Sequence, residues 1–373
     1  MTFQSHLNQE QAVNLGSFYT PSYIVAIVYD MLFKQISHQK ADTKDFVLLD
    51  SSCGYGSFLE TPLNFCAKIG SDIDEQAIEI AKNNFKNLKN PPLFLTTNSL
   101  CNLKREKFHI KKSDKLIIVG NPPYNDKTSI IKNHIKTQKG FMIDPIFKHR
   151  DLGISFLLSF AHLQADFICV LHPLSYLIKE SNFKSMKEFY KNYTLIDSLL
   201  ISSEVFCPNS SSFFPILIGL YKKNAGGMDY DYIKNYTFKT IQNKSFRLSD
   251  FDFIAKYIDK YPNKKRILLS QKVAMFYTMR DINALRRSRT FITKDCANAI
   301  YIPKSKYSLY CFVDVFKQIL KHVPYYLGNC DVMIDYEEFL KLEHAFIESS
   351  QTKILDDKII DYFKNLLKGH YAN

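Results

Sequence analysis

A buried strand that runs straight into an amide and two prolines fixes where this chain must leave its sheet. Ile117-Ile118-Val119-Gly120 is short and wholly apolar or small, as a strand covered on both faces requires. Asn121-Pro122-Pro123-Tyr124 follows at once. Proline removes ladder donors and fixes φ, so the strand ends at Asn121 with that side chain presented at the carboxyl end, where open α/β sheets bind ligands. An amide offers two donors and an acceptor, so Asn121, joined by the Pro122 carbonyl, suits an exocyclic NH2 group, and Tyr124 adds a flat face for a planar ring. A plain Asn-Pro turn would use the same residues. The neighbouring segments decide between the two.

Before this strand, Gly16-Ser17-Phe18-Tyr19-Thr20-Pro21 leads into an apolar stretch from Ser22 to Phe33 that Thr20 or Ser22 could cap as a helix. Phe46 to Asp50 reads as a short buried strand, and Ser51-Ser52-Cys53-Gly54-Tyr55-Gly56 follows it. Glycines just past a strand, Gly54 and Gly56 here, let backbone approach a ligand closely, although a tight turn alone would also use them. A second strand ends at Asp72-Ile73-Asp74, with Asp72 eighteen residues after Gly54, a spacing that suits a carboxylate accepting from ribose hydroxyls. Either acid could instead cap a helix over 75–85, and Asp74 suits that role. A third strand, Leu93 to Leu95, brings Asn98 to another carboxyl end, and the strand over 116–120 delivers Asn121. A helix over 151–163, a strand over 167–171, an amphipathic helix over 179–190 and two more strands over 194–201 and 213–221 complete a seven-stranded α/β pattern. His172 reads as a structural histidine, since no acid sits at a helpful spacing.

At 373 residues the chain is long enough for two domains. We place them at 1–223 and 224–373, because the texture changes after Asn224-Ala225-Gly226-Gly227. From 240 to 310 there are 15 Lys and Arg against 5 Asp and Glu, interleaved with Tyr261, Tyr277, Phe291 and Tyr301. From 331 to 373 the balance reverses and the segment reads as helical. The formal charge of +12 points to a polyanionic partner such as nucleic acid. The connection from Lys127 to Arg150, with Lys132, Lys136, Lys139 and Lys148, reads either as a basic loop closing over that partner or as a solvated insertion. No apolar run approaches the ~18 residues of a membrane span, and the N-terminus lacks a signal pattern, so the expectation is cytoplasmic. Eight scattered cysteines without metal-site spacing point to reduced thiols and no bound metal.

Together these segments resemble gamma-class DNA (adenine-N6) methyltransferases of the restriction-modification type. The likeness rests on Phe18-Tyr19-Thr20-Pro21, Asp50-Ser51-Ser52-Cys53-Gly54-Tyr55-Gly56, Asp72-Ile73-Asp74 and Asn121-Pro122-Pro123-Tyr124, in that order, and covers about residues 15–222. It implies a Rossmann-like S-adenosylmethionine-dependent methyltransferase domain followed by a target-recognition domain. It also implies S-adenosylmethionine as cofactor, with Thr20 and Pro21 near its methionine part, Asp50 and Gly54 beside its amino and sugar groups, Asp72 on the ribose and Ile73 against the adenine. Asn121 and the Pro122 carbonyl would accept from the target amine, Tyr124 would stack on a flipped adenine, and Phe206 would cover its other face. Asn98 stands where the family often has an acid on the cofactor's adenine amine, and Asp-Ser-Ser replaces its usual Asp-Pro. Double-stranded DNA is the implied substrate, and a cognate restriction endonuclease encoded separately the implied partner. For sequence reading we single out Arg280, Arg286, Arg287 and Arg289. The rivals are methyltransferases of this fold acting on RNA adenine or a protein glutamine amide, a fused restriction enzyme, for which no nuclease cluster is evident, and an inactive nucleic-acid-binding module.

Overall fold

The structure is a computed structural model that describes residues 20–124, 142–208 and 213–372. These form two compact units, 20–208 with 216–233 and 213–215 with 234–372. The chain thus passes to the second unit after 233, ten residues beyond the boundary expected at 223, and 213–215 belong with it.

The first unit is a seven-stranded sheet. Its strands are β1 (Phe46–Asp50), β2 (Ala67–Asp72), β3 (Leu93–Thr96), β4 (Lys115–Gly120), β5 (Phe167–Pro173), β6 (Tyr193–Ser202) and β7 (Pro215–Lys223). The order is β3-β2-β1-β4-β5-β7-β6. β1 pairs in parallel with β2 and β4, β2 with β3, and β4 with β5, whereas β7 runs antiparallel to β5. The continuous apolar runs have the burial they call for: β1 and β5 are buried at every position and β4 at every position after Lys115. β1 to β3 build outward in one direction, and β4 returns to the other side of β1. The order therefore reverses between β1 and β4, opening a crevice at their carboxyl ends. This is a Rossmann-like arrangement with one antiparallel strand.

Three helices position the crevice. α1 (Ser22–His38) buries Ile24, Val28, Leu32 and Ile36, a spacing of four that keeps one face inward. Its N-cap is Pro21, with no side-chain cap, so neither Thr20 nor Ser22 serves as one. α2 (Glu75–Phe85) is capped by Asp74, whose carboxylate accepts from the Gln76 and Ala77 amides at 2.9 and 3.2 Å. α3 (Leu152–His162) is capped by Asp151, which accepts from Gly153 N at 3.0 Å. The helix expected over 179–190 is two, Glu180–Ser185 and Lys187–Tyr190, broken at Met186. Rings seven residues apart would lie about 10 Å apart along a continuous helix; the break lets Phe183 and Tyr190 stack with centroids 4.2 Å apart.

In the second unit an antiparallel hairpin, Lys272–Tyr277 with Ala299–Pro303, accompanies the helices Tyr307–Gln318, Glu343–Thr352 and Asp357–Leu366. Phe312 centres its core, with Phe346, Phe363, Phe339 and Tyr362 at 5.0 to 5.9 Å. Asp314, 4 % exposed, holds three elements together by accepting from Thr290 Oγ1 at 2.6 Å, from Ser350 Oγ at 2.7 Å and from Lys353 Nζ.

Candidate active site

Parallel pairing brings the carboxyl ends of β1, β2, β3 and β4 into one row, and with them Asp50, Asp72, Asn98 and Asn121. Asp50, 1 % exposed, ends β1 and accepts from Ser52 N at 3.1 Å. The next strand makes room for it: a Cβ at Gly120, whose φ is +148°, would lie 2.8 Å from Asp50 Oδ1. Any side chain at Gly120 would be strained and would strike the carboxyl group, so the residue before Asn121 has to be glycine. Burial pushes the Asp50 carboxyl up to about 8, the Ser52 amide opposes this and the neighbouring Asp72 charge adds to it.

Asp72 organises the turn after β1. Its Oδ2 accepts from Gly54 N at 2.9 Å and its Oδ1 from Asp74 N at 3.0 Å. Gly54 and Gly56 both take positive φ, 51° and 85°. Burial raises the Asp72 carboxyl, and the Asp74 and Gly54 amides draw it back down. Beside it Ile73 is 43 % exposed, an apolar face at the mouth of the crevice. Beneath the turn, Ser99 Oγ donates to the Ser51 carbonyl at 2.7 Å, and Ser71 Oγ donates to Ser99 Oγ at 2.8 Å. Asn98 accepts from Leu100 N at 2.9 Å and donates to the Met142 carbonyl at 2.7 Å, so its side chain already ties two loops together.

At the end of β4, Asn121 Nδ2 donates to Thr20 Oγ1 at 3.4 Å. Asn121 Oδ1 is buried and accepts no hydrogen bond from any described residue. A buried carbonyl without a donor is costly, and such orphans mark positions where a ligand donor completes the set. Pro122 is buried, while Pro123 and Tyr124 are half-buried. Thr20 is buried and Pro21 half-buried at the start of α1. Phe18 and Tyr19, the basic segment from Lys127 to Lys139, and the loop from Asn209 to Ser212 lie outside the described residues.

Other expected positions fall elsewhere. Phe206 is 2 % exposed, so in this conformation its ring presents no face for stacking. His172 is buried, with Nδ1 2.9 Å from the Pro173 carbonyl and Nε2 2.6 Å from Tyr221 Oη. Desolvation lowers it to about 4, which fits the structural role expected of it. Arg280, Arg286, Arg287 and Arg289 are exposed on the second unit, on and around the short helix Ile282–Arg287. Arg286 donates to the Leu320 carbonyl at 2.9 Å, and Arg289 lies over the Tyr277 ring at 4.9 Å. The roles of Gly120, Ser71, Ser99 and the Asp151–Tyr176 pair emerge only in the fold; of these only the glycine just before Asn121 carries a signal readable in sequence.

The crevice fits S-adenosylmethionine. Asp72 would hold ribose hydroxyls, the exposed Ile73 face would pack on the adenine, Gly54 and Gly56 would let backbone come close, and the buried Asp50 carboxyl, once ionised, would be a counter-charge for a cationic ligand. Among the described residues no group of three or more His, Cys, Asp or Glu side chains could hold a metal ion, and none of the eight cysteines forms a disulfide. No helix among the described residues is long and apolar enough to cross a membrane.

No curated protein matches the chain. Among solved structures, it is similar to a candidate RNA methyltransferase from Pyrococcus horikoshii, at 16 % identity and a TM-score of 0.41 over 59 % of this chain and 92 % of that one. A candidate class I S-adenosylmethionine-dependent methyltransferase from Listeria monocytogenes aligns at 17 % identity and a TM-score of 0.43, over 63 % and 68 % of the two chains. The modification subunit of a candidate type I restriction enzyme from Vibrio vulnificus aligns at 17 % identity and a TM-score of 0.41, over 61 % and 47 %. The sequence model of the family described as N-6 DNA Methylase matches residues 2–284. This match spans the crevice and most of the chain, and with it the protein belongs to the N-6 DNA methylase family, whose methyl donor is S-adenosylmethionine.

Proposed function

We propose that the protein is a site-specific DNA methyltransferase that modifies the N6 amino group of an adenine flipped out of duplex DNA, as the modification half of a restriction-modification system. The observation that carries this reading is the buried, unpartnered Asn121 Oδ1 at the carboxyl end of β4. The bound cofactor supplies a sulfonium methyl group as electrophile. An aromatic amine is a poor nucleophile because its lone pair is delocalised into the ring. Asn121 Oδ1 and the Pro122 carbonyl, accepting from its two N–H groups, draw the nitrogen towards tetrahedral geometry and free that lone pair for attack. Thr20, taking a hydrogen bond from Nδ2, leaves Oδ1 as the amide atom that faces the amine.

A base inside a duplex cannot reach this crevice, and extruding it costs a few kcal/mol that stacking on Tyr124 offsets. Phe206 would have to turn out of its buried site to cover the second face. Residues 15–222 carry the chemistry, and the second unit, with Arg280, Arg286, Arg287 and Arg289, reads the sequence, since one flipped base cannot by itself specify a site. A separately encoded endonuclease would cut the unmodified site, and both would work in the cytoplasm with their substrate. Incubation with tritiated S-adenosylmethionine and, separately, duplex DNA, transcribed RNA and a protein extract tests the substrate class. Label in N6-methyladenine of DNA is expected; label in RNA or protein alone would overturn the reading.

A further inference from the structure

The Cβ of Tyr124, from which its ring extends, lies beside the first turn of α3. A Cβ built at Gly153, the second residue of that helix, would lie 2.8 Å from Tyr124 Cβ, 2.5 Å from Tyr176 Oη and 3.2 Å from Tyr176 Cε2. Ordinary van der Waals contact begins near 3.4 Å, so a side chain here would require its neighbours to move by about 0.6 Å or more. The backbone at Gly153 does not call for glycine, since its φ is not positive, and alanine is the better helix former. What the position demands is space.

Tyr176 cannot readily provide that space. Its hydroxyl donates to Asp151 Oδ1, the cap of the same helix. Its ring lies flat on His172, with centroids 5.4 Å apart and planes 7° from parallel, and His172 is in turn held by Tyr221 and Pro173. Tyr176 is 1 % exposed, and so has no solvent side to retreat to. Of the two tyrosines, Tyr124 is the more exposed: it is half-buried and follows two prolines at the end of its strand.

We propose that Gly153 is a positioning residue for Tyr124: with Asp151, Tyr176 and His172 forming a rigid wall, the missing side chain sets how deep the Tyr124 ring sits beneath the target base. This rests on the reading of Tyr124 as the stacking residue. The signature is specific, because none of the wall's described hydrogen bonds or ring contacts reaches Asp72 or Asp50. Gly153→Ala should therefore lower kcat about 10- to 100-fold, the range set by a misplacement of up to about 1 Å. It should leave S-adenosylmethionine affinity within twofold of the parent. Gly153→Ala combined with Tyr176→Phe, which removes the nearest atom and the Asp151 tether, should recover much of that loss, because ring 176 can then yield instead of Tyr124.

The experiment measures kcat on DNA and cofactor affinity by calorimetry for the parent, Tyr176→Phe, Gly153→Ala and the double variant, with crystal structures of parent and Gly153→Ala. A kcat loss with intact cofactor affinity, recovery in the double variant and a displaced Tyr124 uphold the proposal. Parent-like kcat, parallel loss of cofactor affinity, or a loss that the double variant does not recover overturns it. If Gly153→Ala alone does not fold, the double variant decides: folded and active upholds the proposal, unfolded overturns it. If the parent itself transfers no methyl group to DNA, the functional reading fails, and the Tyr124 position in the two crystal structures still decides this inference.

Discussion

Asn121 and Thr20 lie 101 residues apart in sequence and share a hydrogen bond of 3.4 Å from amide to hydroxyl, at the end of β4 and the start of α1. The contact gives the amide a direction. With Nδ2 engaged on Thr20, Oδ1 is the atom left without a donor among the described residues, and an acceptor there is what an amine substrate needs.

Asn121→Ala should therefore abolish methyl transfer, by at least about 10²-fold as for loss of a preorganised polar group in other active sites, while S-adenosylmethionine still binds. Calorimetry and a tritium-transfer assay measure the two separately. Near-normal turnover would remove Asn121 from the mechanism.

Asp72→Ala should weaken cofactor binding. The carboxylate suits ribose hydroxyls and also holds the Gly54 and Asp74 amides at 2.9 and 3.0 Å. Hydrogen bonds to a charged group contribute about 1.5 to 3 kcal/mol each, so a fall in affinity of 10-fold or more is expected, with DNA binding little changed. Unchanged cofactor affinity in the calorimeter would take the ribose from Asp72.

Asp50 gives a pH signature. Its carboxyl titrates near 8 in the folded protein and near 3.9 in an unfolded chain, so the folded state binds the extra proton between those values. Stability of the cofactor-free protein should accordingly fall as pH rises from about 4 to 8. The neighbouring Cys53 and Tyr29 are both held well above their ordinary values by burial, so they stay neutral across this window. A cationic ligand favours the ionised carboxyl, so cofactor binding below pH 8 should release a proton, and affinity should rise by up to about tenfold per pH unit. Calorimetry in two buffers of different ionisation enthalpy reads the proton directly. Asp50→Asn should abolish its release, and proton release persisting in that variant would assign it to another group.

The four arginines should separate. Arg286 donates to the Leu320 carbonyl, so Arg286→Ala should cost about 1 kcal/mol of stability, visible as a lower melting temperature. Arg280→Ala, Arg287→Ala and Arg289→Ala should instead act on DNA. Loss of a phosphate contact lowers the salt slope by about one, whereas loss of a base contact costs about 1 to 3 kcal/mol on the cognate site alone. Binding titrations at several salt concentrations distinguish these. No effect on DNA from any of the three would move the interface elsewhere.

Strands with uninterrupted apolar character, such as β1, β4 and β5, were legible because continuous burial leaves a continuous apolar run, and the residues at their carboxyl ends came with them. Asp74 as a cap was legible from its place before the helix. The break at Met186 was not, because helical periodicity continues through it and the ring stacking that accompanies it, Phe183 on Tyr190, leaves no local pattern. Nor was the Thr20 hydroxyl's use on Asn121, a contact between segments that no local pattern links. The buried state of Phe206 escaped the sequence for a related reason: an aromatic in a polar loop looks exposed until its surroundings are known. Gly120 and Gly153 show a further limit, since one is needed beside a carboxylate of the next strand and the other beside two tyrosines, and neither neighbour is close in sequence.

The central claim is adenine-N6 methylation of DNA at one sequence through Asn121. Its most direct test is single-molecule sequencing of DNA from a host lacking its own adenine methylases, expressing either the parent protein or Asn121→Ala. The account predicts N6-methyladenine at nearly every copy of one short motif with the parent, and at none with the variant. Unmethylated adenines with the parent, or methylated ones that persist with Asn121→Ala, would contradict it.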